Sequence, residues 1–263
     1  MADAPARSAR FLLVCVAIGL FAGVLSGLFG VGGGTVVVPL LVLLLAVDQK
    51  LAAGTSLAAI VPTAAVGAAS YAASGSVDVV AALLLAAGGV IGAPLGAMLL
   101  PKLPTLALRW GFVGFLALVV ISLFVTVPSR ENALQIGSLP GALLVVAGVA
   151  VGVLSGVLGV GGGIIVVPLL IVLFGAGDLV AKGTSLLMMI PAALSGTVAN
   201  LRRGNVDLRA AAAVGLSACA TTALGAWIAT LLDPMTATVL FAVFLTVLAG
   251  LMIRKIFRSR RPR

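Results

Sequence analysis

The segment GVLSGLFGVGGGTVVVPLL at residues 23–41 returns as GVLSGVLGVGGGIIVVPLL at residues 152–170, with 15 of 19 positions identical at an offset of 129 (152 minus 23). The same offset continues without a gap through GTSL at Gly54 and Gly183, Pro62 and Pro191, Gly67 and Gly196, Val77-Asp78 and Val206-Asp207, and Gly96-Ala97 and Gly225-Ala226. The chain is two copies of one unit, and an internal repeat of this kind sets the architecture before any local propensity does.

The solvent of that unit follows from its apolar runs. With 62% hydrophobic and 9% charged residues, the chain has too much apolar length for a single soluble core, so it is a polytopic membrane protein. Charge-free stretches cover residues 11–47, 51–77, 79–101, 110–129, 132–177, 183–201, 210–232 and 234–253. Most match the ~20 residues that one helix needs to cross hydrocarbon. Two are much longer, 11–47 and its counterpart from about 140 to 175. Each carries the glycine motif near its middle, which predicts two helical arms joined by a break. The first arm starts directly after Arg7 and Arg10 and does not read as a cleaved signal peptide. Cys15 and Cys219 lie within spans without CxxC or His neighbours and read as free buried thiols.

A broken hairpin that enters and leaves on one face, followed by three full crossings, makes an odd number of crossings per repeat. The second copy must then be upside down. The basic residues give an independent sign, because Lys and Arg accumulate in cytoplasmic loops. With the N-terminus inside, every cation falls on the cytoplasmic side except Arg130 and Lys182. The equivalent loops SGSVD (74–78) and RGNVD (203–207) carry opposite bias, the first without a cation and the second preceded by Arg202. The predicted fold class is therefore all-α polytopic membrane protein, with two inverted-topology repeats, each a broken-helix hairpin plus three transmembrane helices. The expected division is a cytoplasmic N-terminus at 1–10, repeat 1 at 11–128, an external linker at 129–139, repeat 2 at 140–255 and a basic cytoplasmic tail at 256–263. Both termini then face the cytoplasm of a cell inner membrane. The net charge of +9 reads as this topology plus a tail that anchors on anionic headgroups, and not as nucleic-acid binding.

GVGGG, at 30–34 and 159–163, is a poor helix interior because each Gly costs ~1 kcal/mol relative to Ala. Unwound backbone at membrane depth is tolerated only where protein or a water-filled cavity satisfies it, so the breaks point inward. Short helices are expected after them, at 35–46 and 164–175, with Pro39 and Pro168 within or just past the first turn. Their first N–H groups lack intrahelical partners and aim a partial positive end at the membrane centre, a ready anion site. Broken helices at matching places in two inverted halves point to a transporter's substrate site at the repeat interface. A phosphate loop is excluded, since neither copy continues into GK[ST]. Gly23, Gly27, Gly92 and Gly96 read instead as small residues for close helix packing.

The candidate substrate-binding residues are Gly32, Gly33, Gly34, Gly161, Gly162 and Gly163, with the hydroxyls of Ser26, Thr55, Ser56, Ser155, Thr184 and Ser185. Those hydroxyls have two readings, contact with substrate oxygens or bonds to their own helix backbone. Asn200, at the position equivalent to Tyr71, is a further candidate for contact or gating. No histidine occurs, and no Asp, Glu, Lys or Arg is expected inside a span, which leaves no in-span proton relay of the usual kind. The same poverty leaves no acid–base pair, nucleophile set or metal ligands, so neither catalysis, cofactor nor metal is expected. Helix N-termini and hydroxyls without a carboxylate suit an anion. Arg109, Arg202, Arg203 and Arg209 either concentrate anions at the inner mouth or serve only as topology signals.

The paired GVLSG-x-x-GVGGG-x-x-VVPLL segments, with GTSL and G-x-V-D in register, resemble the sulfite exporter TauE/SafE family of membrane permeases over essentially the whole chain. The resemblance implies about eight spans, a translocation path near the paired motifs, and cargo such as sulfite, sulfoacetate or other organosulfonates. Carried onto this chain, the first motif pair is Gly32, Gly33, Gly34, Thr55 and Ser56, and the second is Gly161, Gly162, Gly163, Thr184 and Ser185. The expected function is a secondary carrier of small sulfur-containing anions. An anion channel with the same site and a non-transporting membrane scaffold are the alternatives. Expected partners are a small anion and membrane lipids, with a homo-oligomer left open.

Overall fold

The computed structural model describes residues 9–125 and 138–259. These form ten α-helices: α1 (Ala9–Phe29), α2 (Gly34–Leu44), α3 (Gln49–Ala73), α4 (Val79–Leu99), α5 (Thr105–Val125), α6 (Ser138–Leu158), α7 (Gly163–Phe174), α8 (Asp178–Leu201), α9 (Leu208–Leu231) and α10 (Pro234–Ser259). The starts of α1 to α5 map onto those of α6 to α10 at the sequence offset of 129 (138 minus 9, 163 minus 34, 178 minus 49, 208 minus 79, 234 minus 105). Seven helices are long and apolar enough to cross a membrane, and α2 and α7 are short. Side chains such as Leu13 and Leu216 stand 68% and 69% exposed, a surface suited to lipid and costly in water. The segments read as N-terminus (1–10), linker (129–139) and tail (256–263) lie mostly outside the described residues.

The short half-helices begin where the glycines end. α2 and α7 have Gly33 and Gly162 as N-caps in the left-handed region, φ 77° and 87°, with no side-chain cap, a conformation that only glycine adopts at little cost. Pro39 and Pro168 sit inside these helices, at their sixth residue. They therefore fall just past the first turn, each helix starting on the last glycine of its motif. α4 and α9 start at side-chain caps: Asp78 Oδ1 accepts from the Ala81 N–H at 2.9 Å, and Asp207 Oδ1 from those of Arg209 and Ala210 at 3.1 Å.

α1 and α2 form a hairpin against α10. Phe29, at the end of α1, stacks on Phe241 with ring centroids 4.1 Å apart. Val42, near the end of α2, offers its carbonyl to Lys255 Nζ. Fourteen helical residues separate Phe241 from Lys255, about 21 Å of α10, so α2 turns back toward the end from which α1 came.

The halves interlock through pairs that swap between them: α1 lies on α9, α4 on α6, and α3 and α8 cross at the centre. The first two contacts are glycine seams. A Cβ at Gly23 or Gly27 would lie 2.3 or 2.0 Å from the Ala218 or Thr222 carbonyl oxygen, and one at Gly92 or Gly96 would lie 2.2 or 2.1 Å from that of Val149 or Val153. These four glycines are packing residues, as their spacing suggests, and they let backbones touch. The register shows α1 parallel to α9, and α4 to α6. The equivalent helices α3 and α8 run antiparallel, since Gly54 abuts Asn205 beyond the end of α8 while Gly183 abuts Ser76 beyond the end of α3.

Gly92→Leu is expected to lower the yield of monodisperse protein and its thermal midpoint, at a cost of at least 1–3 kcal/mol typical of overpacking. Gly111→Leu, where an added Cβ meets nothing within 4 Å, serves as the tolerated control in the same size-exclusion and melting assay. Equal behaviour of the two variants would remove the seam from the account of stability.

Candidate functional site

Both glycine breaks reach the middle of the protein and meet there. An added Cβ on Gly34 would lie 2.7 and 2.8 Å from the carbonyl oxygens of Val160 and Gly159, and one on Gly163 would lie 2.7 Å from that of Gly30. The positive end of each half-helix is therefore covered by carbonyls of the opposite break, which offer it partial negative charge. Between the breaks stand two side chains from the central helices. Met189 Cε lies 2.2 Å from the Cβ positions of both Gly32 and Gly161, and Ile60 Cδ1 lies 2.7 Å from that of Gly34 and 2.8 Å from that of Gly161. Ile60 and Met189 occupy equivalent places (189 minus 60 is 129), and together they plug the meeting point. Gly32, Gly33, Gly161 and Gly162 are required there for their positive φ, and Gly34 and Gly163 for space against the opposing backbone.

The hydroxyls divide into two groups. Ser26 and Ser155, in the last turns of α1 and α6, and Ser56 near the start of α3 are fully or almost fully buried, and none of their hydroxyls has a hydrogen-bond partner. The backbone-bonded reading does not hold for these three. Buried polar groups without partners are uncommon, and Ser26 and Ser155 lie in the turns that lead directly to the breaks. Ser185 instead donates to the Gly30 carbonyl at 3.0 Å and ties the second half to the first break.

Thr55 and Thr184 bond to the opposite repeat. Thr55 Oγ1 accepts from the Asp207 N–H at 3.0 Å, and Thr184 Oγ1 accepts from the Asp78 N–H at 2.9 Å. Each GT pair thus clasps the V-D loop of the other repeat, with Gly54 and Gly183 opening the space for the loop backbone. A Cβ on either would lie 2.0 or 2.1 Å from the Asn205 or Ser76 carbonyl oxygen. Two motifs that look independent in sequence are the two sides of one contact, made twice. Asn200 is buried beside Gly54, donates Nδ2–H to the Gly196 carbonyl at 3.0 Å and leaves its Oδ1 without a partner. Its counterpart Tyr71 reaches further and donates to the Gly27 carbonyl at 2.7 Å. Thr55, Thr184 and Asn200 thus belong to the clasps, whereas Tyr71 reaches into the last turn of α1.

One expectation is overturned. Asp178 and Lys182 lie in the first two turns of α8, 7% and 4% exposed, and form an ion pair of 2.7 Å. The helix layer therefore does contain buried charge. The pair is legible only as an i,i+4 spacing, and its burial comes from neighbours distant in sequence. Both residues line a cavity of about 40 Å³, together with Val31 of the first break, Ile164 in the first turn of α7, and Thr238 and Phe241 of α10. Ile60 and Met189 also escaped the sequence reading, because apolar residues in mid-helix look alike. Their equivalence under the repeat was the available signal. Cys15 is buried and Cys219 is half-buried, and neither forms a disulfide.

Two half-helices that start on opposing glycine breaks, inside a layer of lipid-length helices built twice, define a broken-helix membrane transport protein. A model of the sulfite exporter TauE/SafE family matches residues 2–123 and 143–263, and the chain belongs to that family of membrane transporters for sulfur-containing anions. No curated protein and no solved structure matches it.

Thr55→Val and Thr184→Val keep the shape of the clasp and remove the acceptor for a loop N–H. Each is expected to destabilise the protein by about 1–3 kcal/mol, the cost of leaving a buried donor unsatisfied. Ligand affinity of the remaining folded protein should be unchanged. Loss of ligand binding without loss of thermal stability would return the two threonines to the binding site.

Proposed function

We propose that the protein is a secondary carrier of small sulfur-containing anions, such as sulfite or organosulfonates, working by alternating access between two inverted halves of a cytoplasmic membrane. The observation that carries this reading is the meeting of the two breaks. Two helix N-termini without side-chain caps converge on one central point, where a bound anion would replace the carbonyls that cover them now. Gly32, Gly33, Gly34, Gly161, Gly162 and Gly163 supply the backbone amides, and Ser26, Ser56, Ser155 and Ser185 supply hydroxyls close by. For an anion to enter, Ile60 and Met189 must withdraw from between the breaks, and the central crossing of α3 and α8 gives a place for the halves to rock. Thr55 and Thr184 then act as clasps that keep each loop with its partner helix during that motion.

The antiparallel course of the equivalent helices α3 and α8 supports the inversion, as does the contrast between the cation-free loop near Ser74 and the cation-rich loop near Arg203. Both termini are then cytoplasmic. Ser74 and Arg203 occupy equivalent, exposed positions. Single cysteines at these two sites, in a background without Cys15 and Cys219, should react with an impermeant maleimide from opposite faces, Ser74→Cys from outside and Arg203→Cys from inside. Labelling from one face would end the inverted reading.

Counterflow tests the carrier. Proteoliposomes preloaded with unlabelled sulfite or a sulfonate should take up labelled anion several-fold faster than empty ones, since a carrier returns loaded. A simple channel, the main alternative, gives no acceleration by trans substrate. A neutral sulfone of the same shape should neither exchange nor compete, because a helix N-terminus acts on charge.

A further inference from the structure

The ion pair at the start of α8 breaks the symmetry of the molecule. The residues of repeat 1 equivalent to Asp178 and Lys182 are Gln49 and Ala53, both buried and neither charged. A buried pair of charges in a membrane protein is costly even when its geometry is good, and residues of this kind in the helix layer mark substrate or ion paths. The pair is also placed at the first glycine break. The Cα of Lys182 lies 2.6 Å from the Cβ position of Gly30, and the Lys182 side chain borders the same cavity as Val31 of that break and Ile164 in the first turn of α7. The other polar side chain of that cavity is Thr238, whose hydroxyl donates to the Pro234 carbonyl at 2.8 Å. The rest of the wall is apolar.

We propose that Lys182 is the charged contact for the transported anion and that Asp178 is its resident competitor, so that the anion binds by taking the place of the Asp178 carboxylate on the Lys182 ammonium. This rests on the transport reading and adds to it a cation beside the first glycine break. A single ammonium among apolar walls suits a singly charged head group with a short carbon substituent, such as an alkanesulfonate. The released carboxylate has a second partner at hand. Asp178 is the first residue of α8, whose N-cap Gly177 gives no side-chain cap, and a carboxylate turned onto those first amides meets the positive end of its own helix. The exchange therefore moves one carboxylate by a side-chain rotation and leaves no charge unpaired. It also opens the narrow cavity at the moment the anion needs room.

The test measures ethanesulfonate binding to the purified full chain, by thermal shift and calorimetry. Four proteins are compared: wild type, Lys182→Met, Asp178→Asn and the neutral double variant Asp178→Asn/Lys182→Met. Removal of the cation should weaken binding at least about tenfold, as loss of a charged hydrogen bond does. Asp178→Asn should bind several-fold tighter than wild type, because the internal competitor is gone. The double variant, which leaves no unpaired charge, should fold and bind as weakly as Lys182→Met. A purely structural bridge predicts the reverse pattern, in which both single variants melt earlier and affinity is the same in all four. Unchanged affinity in the well-folded double variant overturns the inference and leaves the carrier standing. If the wild type itself binds neither ethanesulfonate nor sulfite, the carrier reading fails and this inference fails with it.

Discussion

A peptide group in hydrocarbon must find its hydrogen bonds within the protein, and this structure is arranged around two places where the helix cannot supply them. At each GVGGG motif the chain unwinds through glycines at positive φ, and the freed backbone is brought against the equivalent backbone of the other half. The carbonyls of one break lie on the helix N-terminus of the other. Each half thus covers the break of the other.

Around that centre the halves are tied by contacts that are themselves repeated. The glycine seams of α1 on α9 and of α4 on α6 remove side chains so that helices touch backbone to backbone. The GT clasps of α3 and α8 on the V-D loops fasten the two ends of the central crossing. Seams and clasps are all contacts between opposite repeats. Ile60 and Met189 close the remaining gap with soft apolar atoms, and the Met189 sulfur accepts only a long bond, 4.0 Å, from the Ser185 hydroxyl. The closed centre is therefore held by interactions of two kinds, a polar frame that persists and an apolar plug that can withdraw.

Departures from symmetry carry a different message. Tyr71 reaches the Gly27 carbonyl where Asn200 cannot, and Asp178 with Lys182 stand where Gln49 and Ala53 stand in repeat 1. A transporter built from two similar halves still has to distinguish its two faces, and differences between equivalent positions are where that distinction is built. A charge pair beside one break and not the other is such a difference.

Much of this was open to reading in the chain itself. The offset of 129, the apolar run lengths and the glycine motifs determine two membrane-embedded halves, each with a broken helix, because run length, periodicity and the cost of glycine in a helix are local properties. The packing role of Gly23, Gly27, Gly92 and Gly96 was legible for the same reason. Tertiary structure alone decided the rest. Thr55 and Thr184 pair with loops 152 and 106 residues away, and nothing local separates a clasping hydroxyl from a ligand-binding one. Asp178 and Lys182 read as loop charges until neighbours from α7, α10 and the first break bury them. Ile60 and Met189 are ordinary apolar residues until two backbones converge on them. Sequence reports what a segment costs in a helix or in lipid, whereas which groups are left without partners is set by what packs against them, and only the assembled halves determine that.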